Sequence, residues 1–81
     1  MSEENAKKLM KVLVDNGVQA NSIVPPCQGP YWAVQAGMTV NEINEAFEFA
    51  GSKDWIENGP HNLPGSIFFT DEGYETGKAQ P

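Results

Sequence analysis

The sequence predicts a single α+β domain with three short helices and a C-terminal β-hairpin. Two stretches, one near the N-terminus and one in the middle of the chain, place apolar residues at helical spacing. A β-prone run at residues 66–70 follows a loop rich in glycine and proline, which is typical of the return strand of a hairpin. A chain of 81 residues has room for one hydrophobic core. We therefore assign the domain to residues 1–75 and a flexible tail to residues 76–81.

The first helix is predicted over residues 2–16. Ser2 can cap its N-terminus, and Glu3 and Glu4 fall in the first turn, where the helix dipole favours negative charge. Gly17 follows as a left-handed stop. One apolar face is expected to reach the core, formed by Ala6, Leu9, Met10, Leu13 and Val14.

A connector of residues 18–30 follows, because its prolines and glycine interrupt regular structure around Cys27. Its β-prone residues predict a short extended segment docked on the core, formed by Val18, Ile23 and Val24. Residues 31–36 suit a short helix with Pro30 near its first position, where a missing N–H has no cost. Its expected buried residues are Trp32, Ala33 and Ala36. By area, Trp32 is expected to contribute most to the core.

The third helix, residues 39–50, has the strongest local signals. Thr39 is a good N-cap, and Glu42 stands three residues later, where its carboxylate can complete a capping box. One stripe is apolar and is assigned to the core: Val40, Ile43, Ala46, Phe47 and Ala50. The opposite face is polar and is expected to be exposed: Asn41, Asn44, Glu45 and Glu48.

The hairpin is predicted after this helix. Residues 53–57 can either finish a helical turn or enter a strand. Residues 58–65 form a loop, because their prolines and glycines exclude a helix. Trp55 is expected to face Ile67 or Phe69 across the hairpin. Strand alternation leaves Phe68 partly exposed. Thr70 then resembles the cap of a last short turn.

Charge and composition narrow the class of protein. The net charge is −6, and all five basic residues are lysines. An acidic chain without arginine is poorly suited to nucleic acid and to anionic membranes. Lys7, Lys8 and Lys11 on the first helix are interpreted as a solvated face. No apolar run approaches the roughly 20 residues that span a bilayer. The lone Cys27 excludes an internal disulfide, and with no apolar signal region at the N-terminus we expect a cytoplasmic protein.

The order of these elements resembles a winged helix-turn-helix domain over roughly residues 3–75. Within residues 32–50, the small, turn and apolar positions of the helix-turn-helix pattern are matched by Ala33, Gly37, Ile43 and Ala46. The resemblance implies that the 39–50 helix enters the DNA major groove, with Thr39, Asn41, Asn44, Glu45 and Glu48 as the reading residues. The lysine and arginine residues that normally clamp phosphates are missing from this helix and from the loop.

Catalytic chemistry has few candidates in this chain. Cys27 and His61 are the only nucleophile and base, and both lie in proline-rich loops with nothing nearby to lower the thiol pKa. One cysteine and one histidine do not supply the three or four ligands of a metal site. We therefore predict neither an enzyme nor a cofactor.

The sequence thus favours a small acidic regulator, adaptor or inhibitor that binds a protein partner and no membrane. The predicted partner-binding patch combines the polar helix face with the hairpin loop: Asn41, Asn44, Glu45, Glu48, His61 and Leu63. The alternative is a DNA-binding transcriptional regulator that uses the 39–50 helix. The sequence leaves the oligomeric state open.

Overall fold

The computed structural model describes residues 2–80, which form four helices and one three-stranded antiparallel sheet. In chain order the elements are α1 (Ser2–Asp15), β1 (Ser22–Val24), α2 (Gln28–Gln35), α3 (Val40–Ser52), β2 (Ile56–Asn58), β3 (Ile67–Phe69) and α4 (Asp71–Lys78). The predicted α+β class is confirmed, with one helix and one strand more than expected. The order of the elements is consistent with a winged-helix-like arrangement. None of these helices combines the length and apolar character that crossing a membrane requires.

The sheet has the order β1-β3-β2, so the return strand of the hairpin lies in its centre. Ser22 of β1 and Ile56 of β2 both pair with Phe69, from opposite sides of β3. The extended segment expected around Ile23 and Val24 is therefore a true strand. Val24, the last residue of β1, pairs with Ile67, so the segment that leads into α2 starts beside the loop end of the hairpin.

The prediction that Trp55 faces Ile67 or Phe69 across the hairpin is wrong. Trp55 lies one residue before β2, and Ile56 takes the position opposite Phe69. Asp54 adopts a left-handed conformation with φ 61° in the turn after α3. A one-residue shift turns each side chain of a strand to the other face. The Trp55 ring instead packs against Phe49, with 5.8 Å between ring centroids.

The core lies around α1, which packs against α3 on one side and α4 on the other. Its largest fully buried side chains are Phe69, Leu9, Met10, Leu13 and Val24. Trp32 is partly buried and packs against this core, and its contribution by area stays a prediction. Phe69, in the central strand, is the largest side chain that is fully buried.

Two core assignments are wrong. Ala36 is exposed because it lies in the turn that ends α2, where its N–H donates to the Trp32 carbonyl oxygen at 3.0 Å. Val40 is 69% exposed because it opens α3 outside the buried arc of that helix. Of the predicted stripe on α3, the buried members are Ile43, Ala46 and Ala50, while Phe47 is half-buried.

Helix α2 begins at Gln28, three residues earlier than the sequence predicts. Pro30 occupies the third helical position and still lies in the first turn, where backbone N–H groups have no partner within the helix. Cys27 precedes the helix with a φ of 68°. A first turn tolerates proline at more than its first position, which is why the predicted boundary fell too late.

Helix α4 replaces the predicted last short turn and continues to Lys78, so residues 76–78 of the predicted tail are helical. Its predicted cap is confirmed, since the Gly73 N–H donates to Thr70 Oγ1 at 3.1 Å. Gly73 and Gly77 are both buried, where α4 approaches Trp55 and Met10. Glycine is a poor helix former in isolation, so local propensity predicts the end of the helix too early. Pro81 lies outside the described residues.

The predicted capping box of α3 is confirmed. The Glu42 N–H donates to Thr39 Oγ1 at 3.2 Å, and the Thr39 N–H donates to Glu42 Oε1 at 2.8 Å. The hydrogen bond from the Thr39 backbone lowers the pKa of Glu42 below its ordinary value of 4.5. This box fixes the entry to α3 and therefore the direction of its exposed face.

The capping box predicts a pH dependence for Glu42→Gln. Because the folded-state pKa is lowered, the ionised carboxylate stabilises the fold fully above the unfolded-state pKa and loses this effect as the pH falls through the folded-state pKa. We expect the variant to melt below the parent at neutral pH, and the gap to shrink as the pH falls below 4.5. Thermal melts of both proteins over this range measure the gap. A gap that does not change with pH would contradict a role for the charged form.

Candidate binding surface

The predicted polar face of α3 is exposed over its whole length, at Asn41, Asn44, Glu45 and Glu48. Glu45 lies next to α1, where Asn5 Nδ2 donates to its Oε1 at 3.4 Å. Glu45 and Glu48 also line a shallow depression together with Ser2 at the start of α1. The two carboxylates therefore belong to the side of α3 that borders α1.

The other two predicted partner-binding residues, His61 and Leu63, lie in the loop that joins β2 to β3. We call residues 59–66 the wing loop. Both side chains are exposed and line a cleft formed by this loop itself. The loop is closed at its base, because the Gly59 N–H donates to the Ser66 carbonyl oxygen at 3.0 Å. Its cleft shares no residue with the depression at Glu45 and Glu48, so the structure places these two parts of the predicted patch apart.

An apolar surface lies between the two parts. One cleft of about 210 Å³ is lined by Val24, Pro25, Cys27, Gly29, Pro30, Phe47, Gly65 and Ile67. A second, of about 220 Å³, is lined by Pro30, Val34, Val40, Ile43, Asn44 and Phe47. The clefts share Pro30 and Phe47 in their linings and are therefore adjacent, and we call the two together the α2–α3 groove. It reaches the wing loop at Gly65 and the polar face at Asn44, and among residues 2–80 no charged residue lines it.

Several large apolar side chains are exposed at this groove. Val34 is 55% exposed and Val40 is 69% exposed, and both line its second cleft. Tyr31 is 59% exposed and precedes Val34 by three residues, so it shares that face of α2. Single exposed apolar residues are normal, whereas a contiguous group is typical of an interaction site. The centres of protein–protein interfaces are likewise poor in charge and rich in aromatic residues.

Sequence reasoning missed Tyr31, Val34 and Val40 as candidates for binding. A signal for them does exist, because residues 18–41 contain no aspartate, glutamate, lysine, arginine or histidine. In an acidic chain of this size, such an uncharged stretch at the surface is a departure from the rest of the molecule. Helical periodicity assigned Val40 to the core, because a pattern of apolar residues does not distinguish a core from a binding surface.

The charged residues of α2 and α3 are all glutamates. Helices α2 and α3 contain Glu42, Glu45 and Glu48, and residues 12–52 include no lysine, arginine or histidine. Two lysines of α1 are paired within their own helix, Lys7 with Glu3 at 3.1 Å and Lys11 with Asp15 at 2.7 Å. The groove is therefore an uncharged surface beside an acidic helix face.

Cys27 and His61 do not form a joint site. The exposed Cys27 lines the first cleft of the groove and His61 lines the adjoining cleft of the wing loop, and neither cleft is lined by both residues. Within residues 2–80, no group of three histidine, cysteine, aspartate or glutamate residues has a geometry suited to a metal ion.

Comparison with known proteins gave no match to a family model, a curated protein or a solved structure. The resemblance to winged helix-turn-helix domains rests on the order of the elements and on the matched residues between 32 and 50.

Proposed function

We propose that this chain is a small protein-binding module of winged-helix type, acting as a regulator, adaptor or inhibitor through α3 and the surface beside it. The observation that supports this most is the α2–α3 groove, where the exposed Val34 and Val40 line one of two adjacent apolar clefts. Apolar burial is the main favourable term in protein association. The polar face of α3 meets the groove at Asn44, and its carboxylates at Glu45 and Glu48 add charge complementarity for a basic partner, which mainly accelerates association.

The alternative, DNA binding through α3, has less support. Contacts to phosphate provide most of the non-specific affinity of DNA-binding proteins, and lysine and arginine supply many of them. Helix α3 presents Glu42, Glu45 and Glu48 instead, and the wing loop contains no lysine or arginine. A DNA-binding role would need a second protein that contributes the positive charge.

The double variant Glu45→Lys/Glu48→Lys tests the protein-binding proposal. Both residues are exposed, so we expect a melt close to that of the parent but a loss of partner binding that is largest at low salt. The partner is first identified by cross-linking the tagged chain in the cells that produce it, and its affinity for each variant is then measured with purified proteins. Glu72→Lys/Glu75→Lys on α4 is the matched control, because it makes the same charge change at the same spacing of exposed residues.

Equal affinity of the parent and the α3 variant across low and moderate salt would place the binding surface elsewhere. The same variant also separates the two functions. Added positive charge on a helix that reads the major groove strengthens non-specific DNA binding. We expect the parent chain to show no binding to a random-sequence duplex in fluorescence anisotropy. Tight, salt-dependent DNA binding by the parent alone would favour the alternative.

A further inference from the structure

We propose that the α2–α3 groove binds an amphipathic segment of a partner protein, in which apolar side chains are flanked by lysine or arginine. This inference rests on the proposed function and names the chemistry of the partner.

The groove has a fixed floor and exposed walls. Val24 and Ile43 contribute to its floor and are 1% and 5% exposed, so they belong to the packed core. Its walls at Val34 and Val40 are largely free. Side chains of a packed core keep their positions, so the floor requires little ordering when a ligand binds.

The size of the two clefts favours a peptide over a compact small molecule. Each cleft is about 210–220 Å³, below the roughly 300–1,000 Å³ of small-molecule pockets. Two small clefts that meet at Pro30 and Phe47 instead fit successive apolar anchors of one segment. An amphipathic helix presents such anchors at i, i+3 or i+4, and i+7.

Charge selects among the possible occupants. No charged residue lines the groove, so the anchors that enter it are apolar. Glu48 lies one helical turn after Asn44, the α3 residue through which the polar face meets the groove, and residues 12–52 supply no positive charge to balance it. Basic flanks on the partner segment complement this edge. A second copy of the chain has a net charge of −6 and the same acidic α3, so self-association would bring like charges together.

The test is an unbiased selection of random peptides displayed on phage against the purified chain. We expect the enriched peptides to combine apolar residues at helical spacing with an excess of lysine and arginine. Synthetic copies are then titrated by fluorescence anisotropy against three proteins: the parent, Val34→Ser/Val40→Ser, and the control Ile23→Ser. The control removes an exposed apolar residue that lines neither cleft of the groove. We expect the groove variant to lose about tenfold or more in affinity and the control to stay close to the parent.

Three results would overturn the inference: no enrichment, enriched peptides without a basic excess, or equal affinity for the parent and the groove variant. A dimeric parent that becomes monomeric in Val34→Ser/Val40→Ser, measured by sedimentation equilibrium, would also overturn it by showing a second copy in the groove. The experiments distinguish a failure of the groove assignment from a failure of the proposed function. If the native partner loses affinity for Glu45→Lys/Glu48→Lys but not for the groove variant, the protein-binding function stands and the groove assignment fails.

Discussion

Phe69→Ala is expected to destabilise the domain by about 3–5 kcal/mol. The side chain is fully buried in the central strand of the sheet, and its ring contacts Tyr74 of α4 edge-on at 6.1 Å between centroids. Truncation removes apolar burial from the sheet and from the α4 contact at once. A chain of this length has a total stability of about 4–12 kcal/mol, so the variant loses a large part of it. Urea titration followed by circular dichroism measures the change.

Phe68→Ala is the matched control for this prediction. It removes the same side chain from the neighbouring position of β3, where alternation leaves the ring only partly buried. We expect a clearly smaller loss of stability than for Phe69→Ala. Equal losses for the two variants would mean that the register of β3 against β1 and β2 is wrong.

Local signals in the sequence were sufficient wherever neighbouring residues alone decide the structure. The start of α3 depends on Thr39 and Glu42, which bond each other, and the cap at Thr70 depends on a residue three positions later. The left-handed stop after α1 is of the same kind, since Gly17 has a φ of 86°. Each of these features was predicted at the correct residue.

Features that depend on distant parts of the chain were missed. The sequence predicts an extended segment at β1, but its pairing with β3 joins residues such as Ser22 and Phe69 that are far apart in sequence.

The α2–α3 groove was missed for a related reason. Helix α3 has an apolar arc toward the core, which includes Ile43, and an adjoining apolar side at Val40 and Phe47 that forms the groove. In the sequence, Val40, Ile43 and Phe47 form one continuous apolar stripe. Which of them face the core and which face the groove depends on where α2 packs.

Gly77→Ala is expected to destabilise the packing of α4 on α1. A Cβ at this position would collide with the backbone oxygen of Met10 and would lie 2.9 Å from Cγ2 of Val14, so α4 would have to move away from α1. Over-packing of this kind typically costs about 1–3 kcal/mol, and we expect the upper end because the Met10 atoms are helical backbone.

Gly51→Ala is the control, since it makes the same change in α3 with no atom within 4 Å of the new Cβ. There, alanine should stabilise the helix by about 0.5–1 kcal/mol, because it restricts the unfolded chain more than glycine does. Denaturant melts showing that both variants gain stability would mean that α4 does not pack closely on α1, and residues 76–78 would return to the flexible tail that the sequence predicts.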